Sequence, residues 1–470
     1  MFTKLLSKTT ARLPINITSN VLRSASTKPG KPGCTSYNRT SPSVRNITNL
    51  SRVSARGCST PATSFFTHPA PFRRHDQPGV ADRLLLKDVQ LDVERRQLVV
   101  SWDDGDTQIY PFVWLRDNCR CTKCFHPVAL ARSTCAHTLD VELIAKTVTK
   151  TQDGSAFQVN WGDGHVSEFP SKWLREYRFD NSTPDQLLNV KYKPWGADVN
   201  LQFFDFNSIL EDDQTLYDWL VEMVTVGISI VTNAPKETGQ VERIGERVAF
   251  LRKSNYGPTF HVKAKMDPSN LAYTTGALAL HTDLAYYINE PDIQMLHCIE
   301  QVASEGGENV VADGFKVALD LKRDDPEAFN LLSTYPFEFS DIGKDHYGEF
   351  LQRSRHPTIK LNELGEIEKV TISDHSRDAM LRAPVHLVLP IYRALNKYCK
   401  MLLEPENLLQ YKLEEGNILA FNNCRVLHGR NSFRVIKAGG RQLEGGYLDW
   451  DEVFSKLHVL SRKLQNQEQL

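Results

Sequence analysis

Asn417-Ile418-Leu419-Ala420-Phe421-Asn422-Asn423-Cys424-Arg425-Val426-Leu427-His428-Gly429-Arg430 reads as a hairpin of two buried strands. Residues 417–421 form an apolar run, Asn422-Asn423 supplies turn residues, and 425–430 return as a second strand. His428 sits near the end of that strand, and Gly429 beside it permits close backbone approach. One imidazole alone does not hold an ion. Upstream, His281-Thr282-Asp283 places an imidazole and a carboxylate two residues apart. In a strand such residues share a face. A His-x-Asp pair alone occurs by chance in many chains. Joined to His428 it makes a two-histidine, one-carboxylate face whose open positions suit Fe(II) and O2. Downstream, Arg441 opens Arg441-Gln442-Leu443-Glu444-Gly445-Gly446-Tyr447. Arg441 and Tyr447 share parity and so face one pocket. An arginine grips a carboxylate bidentately, as the distal end of 2-oxoglutarate requires. Asn309 is a candidate for a second contact to that co-substrate.

Around this centre, residues 201–462 read as one oxygenase unit. Asp212 to Val226 has helical spacing, Gly227 to Val231 is a short buried strand, and Val241 to Arg252 is a second helix. Further helices are expected near 315–332 and 384–403. There is no Gly-rich phosphate loop and no regular strand–helix alternation. The expected fold is mainly β with flanking helices: a double-stranded β-helix, or jelly roll, rather than a doubly wound sheet. Residues 84–180 form a smaller β-rich unit, with strands at 97–102 and 156–161 and a turn at Gly162-Asp163-Gly164. Here Cys119-x-Cys121-x2-Cys124 gathers three thiolates, and tetrahedral Zn(II) needs a fourth ligand. His126, His137 and His165 compete; His165, just past the turn, can return to the cluster on a strand. A closed four-ligand zinc is structural.

The formal net charge of −1 hides an asymmetry. No Asp or Glu precedes Asp76, whereas Lys and Arg are frequent there, so the remainder is net acidic. An acid-free, Arg-, Ser- and Thr-rich stretch over residues 1–75 reads as a mitochondrial transit peptide, with a matrix location expected and the cytoplasm as the alternative. An acidic body argues against a nucleic-acid partner, and no apolar run approaches the ~20 residues of a membrane span. Nine cysteines, three of them clustered, favour metal binding over a disulfide framework.

Several segments together resemble the gamma-butyrobetaine dioxygenase and trimethyllysine dioxygenase family of the taurine-dioxygenase-like superfamily. They are Trp114-Leu115-Arg116-Asp117-Asn118-Cys119, Ala272-Tyr273-Thr274-Thr275-Gly276, His281-Thr282-Asp283, Val426-Leu427-His428-Gly429-Arg430 and Leu443-Glu444-Gly445-Gly446-Tyr447. The resemblance covers roughly residues 84–460 and is closer to the butyrobetaine branch, through the Tyr273 segment and Asp449-Trp450-Asp451. It implies the jelly-roll fold, Fe(II), 2-oxoglutarate, ascorbate as reductant, homodimers, and His165 as the fourth zinc ligand. It also implies conversion of gamma-butyrobetaine to L-carnitine, with the quaternary ammonium held in an aromatic cage of Tyr256, Phe260, Tyr273 and Tyr447 by cation–π attraction. Asn270 and Asp374 match the family's contacts to the substrate carboxylate. Two positions depart from the pattern. Phe260 replaces a common Trp, which weakens the cage. Asp374 replaces an Asn and would repel a carboxylate unless protonated or turned away. Trimethyllysine or another betaine is therefore an alternative substrate, since Asp374 suits an amino group. A catalytically silent zinc-binding scaffold is the alternative of another class.

Overall fold

The computed structural model describes residues 85–179, 191–263, 274–302, 305–434 and 440–467. The expected transit stretch and two expected substrate contacts, Asn270 and Tyr273, lie outside the described residues.

The apolar hairpin forms as read, with one shift. Its strands are Ile418–Asn422 and Val426–Arg430, both wholly buried, and the turn occupies residues 423–425. Asn422 ends the first strand because its backbone is paired with Ile293 and its side chain caps the turn, Oδ1 accepting from Cys424 N at 3.0 Å. The two strands part company at this turn. Ile418–Asn422 lies within a six-stranded sheet of order Thr259–Lys263, Gln442–Leu448, Ile293–Glu300, Ile418–Asn422, Ile228–Thr232 and Phe203–Asp205. Val426–Arg430 lies in a four-stranded sheet of order Leu278–His281, Val426–Arg430, Asn309–Asp313 and Leu409–Tyr411. Two sheets exchanging strands across one hairpin make the double-stranded β-helix, and a pocket opens between their inner faces.

Helices cover the outer face of the larger sheet. Asp213–Thr225 is capped by Asp212, whose carboxylate accepts from Thr215 N at 2.7 Å, and it buries Leu216, Leu220, Met223 and Val224. The next helix, Gln240–Val248, stops short of Arg252 because the chain leaves it to bridge the catalytic sheet: Arg252 N donates to Tyr447 O at 2.9 Å. The expected 315–332 helix is two helices, Gly314–Asp324 and Pro326–Thr334. Pro326 cannot continue a helix but serves well in a first turn, and Asp325 caps the second helix through Ala328 N at 3.0 Å. Val385–Leu402 follows close to its expected place.

One buried ion pair ties the hairpin turn to its surroundings. The Arg425 guanidinium is fully buried and meets both Asp313 oxygens, at 3.0 and 2.8 Å. Its remaining donors reach Thr225 O at 2.8 Å and Lys193 O at 2.7 Å. Each of its three nitrogens has a partner, and such a complement of partners is the condition under which a buried charge is tolerated.

The smaller unit consists of two three-stranded antiparallel meanders, Leu86–Asp92/Gln97–Trp102/Thr107–Pro111 and Ala145–Lys150/Ala156–Trp161/Val166–Pro170. They share a core of Leu98, Val100, Trp102, Phe157, Val159 and Trp161. Among the described residues no helix is long and apolar enough to cross a membrane.

Candidate active site and metal centres

His281 and His428 are direct cross-strand partners at the rim of the four-stranded sheet, with ring centroids 4.2 Å apart. Gly429 makes this approach possible, since a Cβ there would stand 2.5 Å from Leu278 O. Asp283 lies just past the strand end, with Oδ1 3.1 Å from His281 Nε2 and 3.6 Å from His428 Nε2. The three donor atoms therefore share one small face, open on the pocket side.

Neighbouring groups hold each ligand in a binding-competent form. His281 Nδ1 lies 2.9 Å from Ala279 O; a proton on Nδ1 donates to that carbonyl and leaves the Nε2 lone pair for an ion. Burial first, and the adjacent His281 second, push His428 down to about 3, so its ring is neutral and ligating at physiological pH. Burial alone would raise Asp283, but its contacts with His281 and His428 and the hydrogen bond from Tyr447 hold its carboxyl well below the ordinary range. Its Oδ2 accepts from Gln294 Nε2 and from Tyr447 Oη, each at 2.7 Å. Only Oδ1 then faces the histidines. The Asp283 backbone is fixed by Asn423, whose Oδ1 accepts Asp283 N at 2.7 Å while its Nδ2 donates to Asp283 O at 3.1 Å.

Arg441 enters the same pocket from the larger sheet and is buried, with Nη2 3.4 Å from Asn309 Oδ1. Burial, then the positive charge of Arg430, lower it to about 10. Both guanidiniums remain charged at neutral pH. Arg430 donates through Nη2 to Thr274 O and Gly276 O, each at 2.8 Å. The Nε atoms of both arginines are buried without a hydrogen-bond partner. Two buried cations with orphaned donors beside a metal face fit a bound dianion, and the carboxylates of 2-oxoglutarate have that chemistry. Arg430 was not singled out from sequence, although it shares parity with His428.

The aromatic wall also assembles. Phe260 stacks on Tyr447 at 5.2 Å, and Tyr256 lies 6.2 Å from Phe260. A Cβ on Gly445 would overlap the Phe260 ring, so that glycine makes the room. Tyr286, not anticipated, joins this wall with its hydroxyl 3.2 Å from that of Tyr256. His375 was also missed; it lines the pocket 5.1 Å from the His281 ring.

Asp374 is a correction. It was expected to face the substrate, yet it is exposed and its Oδ1 pairs with Arg377 Nη2 at 2.9 Å. An arginine three residues on draws the carboxylate out to solvent, leaving Ser373, His375 and Ser376 to line the pocket.

In the smaller unit, His165 Nε2 stands 3.3, 3.6 and 3.6 Å from the sulfurs of Cys119, Cys121 and Cys124. Tetrahedral zinc bonds of about 2.3 Å to sulfur and 2.0 Å to nitrogen put such atoms roughly 3.5 Å apart. The donor set therefore fits one tetrahedral ion with no position left over. His126 instead turns its Nδ1 to Ala129 N at 3.0 Å, and His137 is exposed on a short turn.

A chain that presents two histidines and a carboxylate to one ion, beside a pocket built for a dianion, falls in the class of non-haem iron oxygenases on the double-stranded β-helix. Comparison with known families is more specific. Residues 188–447 match the taurine catabolism dioxygenase TauD, TfdA family, and residues 89–175 match the gamma-butyrobetaine hydroxylase-like N-terminal family. Gamma-butyrobetaine dioxygenase of Pongo abelii is 36% identical, over 79% of this chain and 96% of the relative. The Homo sapiens protein of that name is 36% identical, over 78% and 95%. Mitochondrial trimethyllysine dioxygenase of Rattus norvegicus is 31% identical, over 75% and 82%. The chain belongs to the gamma-butyrobetaine dioxygenase branch of the TauD, TfdA family and is a 2-oxoglutarate-dependent dioxygenase.

Tyr447 has two contacts that one substitution separates, its hydroxyl on Asp283 and its ring against Phe260. Tyr447→Phe removes the first and keeps the second. It should weaken Fe(II) binding about 10- to 100-fold, the usual effect of losing a group that orients a metal ligand. An iron titration followed by protein fluorescence checks this; unchanged iron affinity would show that Gln294 alone orients the carboxylate.

Proposed function

We propose that this chain hydroxylates gamma-butyrobetaine to L-carnitine. The observation that carries the proposal is the wall of Tyr256, Phe260, Tyr286 and Tyr447 beside the metal face, in a pocket whose arginines are on hand for a different ligand. A trimethylammonium group donates no conventional hydrogen bond, so stacked aromatic faces are what recognise it.

The division of labour follows from the geometry. His281, Asp283 and His428 hold Fe(II), which when bound supplies O2 activation. Arg441, with Asn309 beside it, anchors the distal carboxylate of 2-oxoglutarate. The aromatic wall fixes the cationic end of the substrate and so decides which carbon is presented to the metal. Tyr447 and Gln294 hold Asp283 in its ligating orientation. The balance is one C–H bond converted to C–OH, with 2-oxoglutarate and O2 yielding succinate and CO2; one oxygen atom enters each organic product. Ascorbate serves as reductant. A structural zinc on Cys119, Cys121, Cys124 and His165 stabilises the smaller unit. The acid-free leader supports import into the mitochondrial matrix, and the family resemblance supports a homodimer.

Two measurements test this reading. Succinate release from 2-oxoglutarate should be coupled to gamma-butyrobetaine more efficiently than to trimethyllysine. A neutral isostere carrying tert-butyl in place of trimethylammonium fills the same volume without the cation–π attraction of about 0.5–2 kcal/mol per contact. Its affinity should be lower by about tenfold or more, about 1.4 kcal/mol; equal binding of the two would remove the cage. Separately, metal analysis should find about one zinc per chain, and Cys121→Ser should lower zinc content and thermal stability together. Full zinc occupancy in His165→Ala would move the fourth ligand elsewhere.

A further inference from the structure

Charge is distributed unevenly around the pocket. Arg430 and Arg441 supply its fixed positive groups. Among the described residues, its only acidic side chains are Asp283, which belongs to the metal face, and Asp341. Asp341 lies on Phe337–Asp345, a strand of the long hairpin completed by Gly348–His356, far in sequence from every motif discussed above. A run of contacts through the aromatic wall joins it to the metal face. Asp341 adjoins Tyr286, the Tyr286 hydroxyl meets that of Tyr256, Tyr256 abuts Phe260, Phe260 stacks on Tyr447, and Tyr447 touches Asp283.

The environment of Asp341 leaves its charge without a counter-ion. Its Oδ1 accepts the neighbouring Ile342 N–H at 3.0 Å. The Tyr286 phenol is hydrogen-bonded to it, but no Lys or Arg nitrogen of the described residues forms an ion pair with it, whereas Glu338 on the same strand pairs with Arg382. Its cross-strand partner is Gln352, whose buried Oε1 is another acceptor without a donor. Burial, Tyr256 and then Asp341 all keep the Tyr286 phenol protonated, so the ring beside the carboxylate stays neutral. Two hydrogen bonds satisfy part of this half-buried carboxylate, and its negative charge is left for a cation to meet.

We infer that Asp341 is the counter-charge for the quaternary ammonium and sets the specificity of this site for a permanent cation. The inference rests on the betaine reading above and adds a residue to it. Aromatic faces accept a tert-butyl group of the same shape and favour the cation only by cation–π attraction; a carboxylate without a counter-ion behind them adds to that preference and does not reward the neutral group. The two ends of the pocket then sort the two ligands by charge. The dianion goes to Arg441 and Arg430, and the cationic end of the zwitterion goes to Asp341.

The test compares gamma-butyrobetaine with its neutral tert-butyl isostere in the full-length protein loaded with Fe(II) and 2-oxoglutarate, without O2, for wild type, Asp341→Asn and Asp341→Glu. Wild type should favour the cation by about tenfold or more. Asp341→Asn should cut that ratio at least about fivefold while binding 2-oxoglutarate within about twofold of wild type, because the arginine end is untouched. Asp341→Glu, which keeps the charge, should retain most of the preference. Should the Asn variant fail to fold by circular dichroism, the ionic-strength dependence of cation affinity in wild type and the Glu variant replaces it: salt should weaken binding of the betaine and not of the isostere. A folded Asn variant with an undiminished ratio, or salt-independent preference, overturns the role of Asp341 while leaving the cage standing. A wild type that binds both ligands equally overturns the betaine reading itself, and this inference with it.

Discussion

The carboxylate of Asp283 is the point on which the two sheets depend. One of its oxygens faces His281 and His428 from the four-stranded sheet. The other accepts hydrogen bonds from Gln294 and Tyr447 of the six-stranded sheet. A buried carboxylate is tolerable only with such a complement of partners. The same requirement brings the inner faces of the sheets to a common point and leaves the remaining space between them as the pocket. Asn423, in the hairpin turn, fixes the Asp283 backbone, so the turn that separates the two strands also positions the ligand. The Arg425–Asp313 pair anchors that turn from behind.

From this centre the pocket divides by chemistry. Buried guanidiniums with orphaned Nε atoms collect on one part, aromatic rings and a lone carboxylate on another. Each is poor at holding the other's ligand, since a cation is repelled by the arginines and a dianion by Asp341. Binding two small molecules in fixed relative orientation is most of what this kind of enzyme's protein must accomplish, because the difficult bond chemistry belongs to the metal. Tyr447 belongs to both systems, with its ring in the wall and its hydroxyl on Asp283, which couples the recognition of substrate to the shape of the metal face.

Much of this was legible because residues two apart at the ends of strands tend to share a face. The expected pairs His281 with Asp283 and Arg441 with Tyr447 do reach one pocket, although Asp283 lies just past its strand and Arg441 just before its own, and the apolar run before His428 announced a buried hairpin. Cys119, Cys121 and Cys124 were legible from thiolate spacing, whereas His165 was chosen among three histidines by the turn together with the family resemblance. Arg430 obeyed the same parity as His428 and was overlooked because an arginine at a strand end is ordinarily a solvated residue. Tyr286, Asp341 and His375 had no motif: they reach the pocket from a loop and from the long hairpin, and only tertiary pairing brings them there. Asp374 failed for a local reason, since Arg377 one turn on offered its carboxylate a solvent-exposed partner. The split helix at Asp325-Pro326 was readable from proline's missing N–H, but the apolar spacing ran straight through it.

The central claim is that this pocket joins O2, 2-oxoglutarate and a betaine at one metal, and isotope incorporation tests it most directly. With Fe(II), ascorbate, 2-oxoglutarate, gamma-butyrobetaine and oxygen-18 gas, mass spectrometry should find one heavy oxygen in the hydroxylated betaine and one in succinate, formed in equal amounts. Succinate that accumulates without labelled carnitine, or carnitine whose hydroxyl oxygen comes from water, would contradict the account.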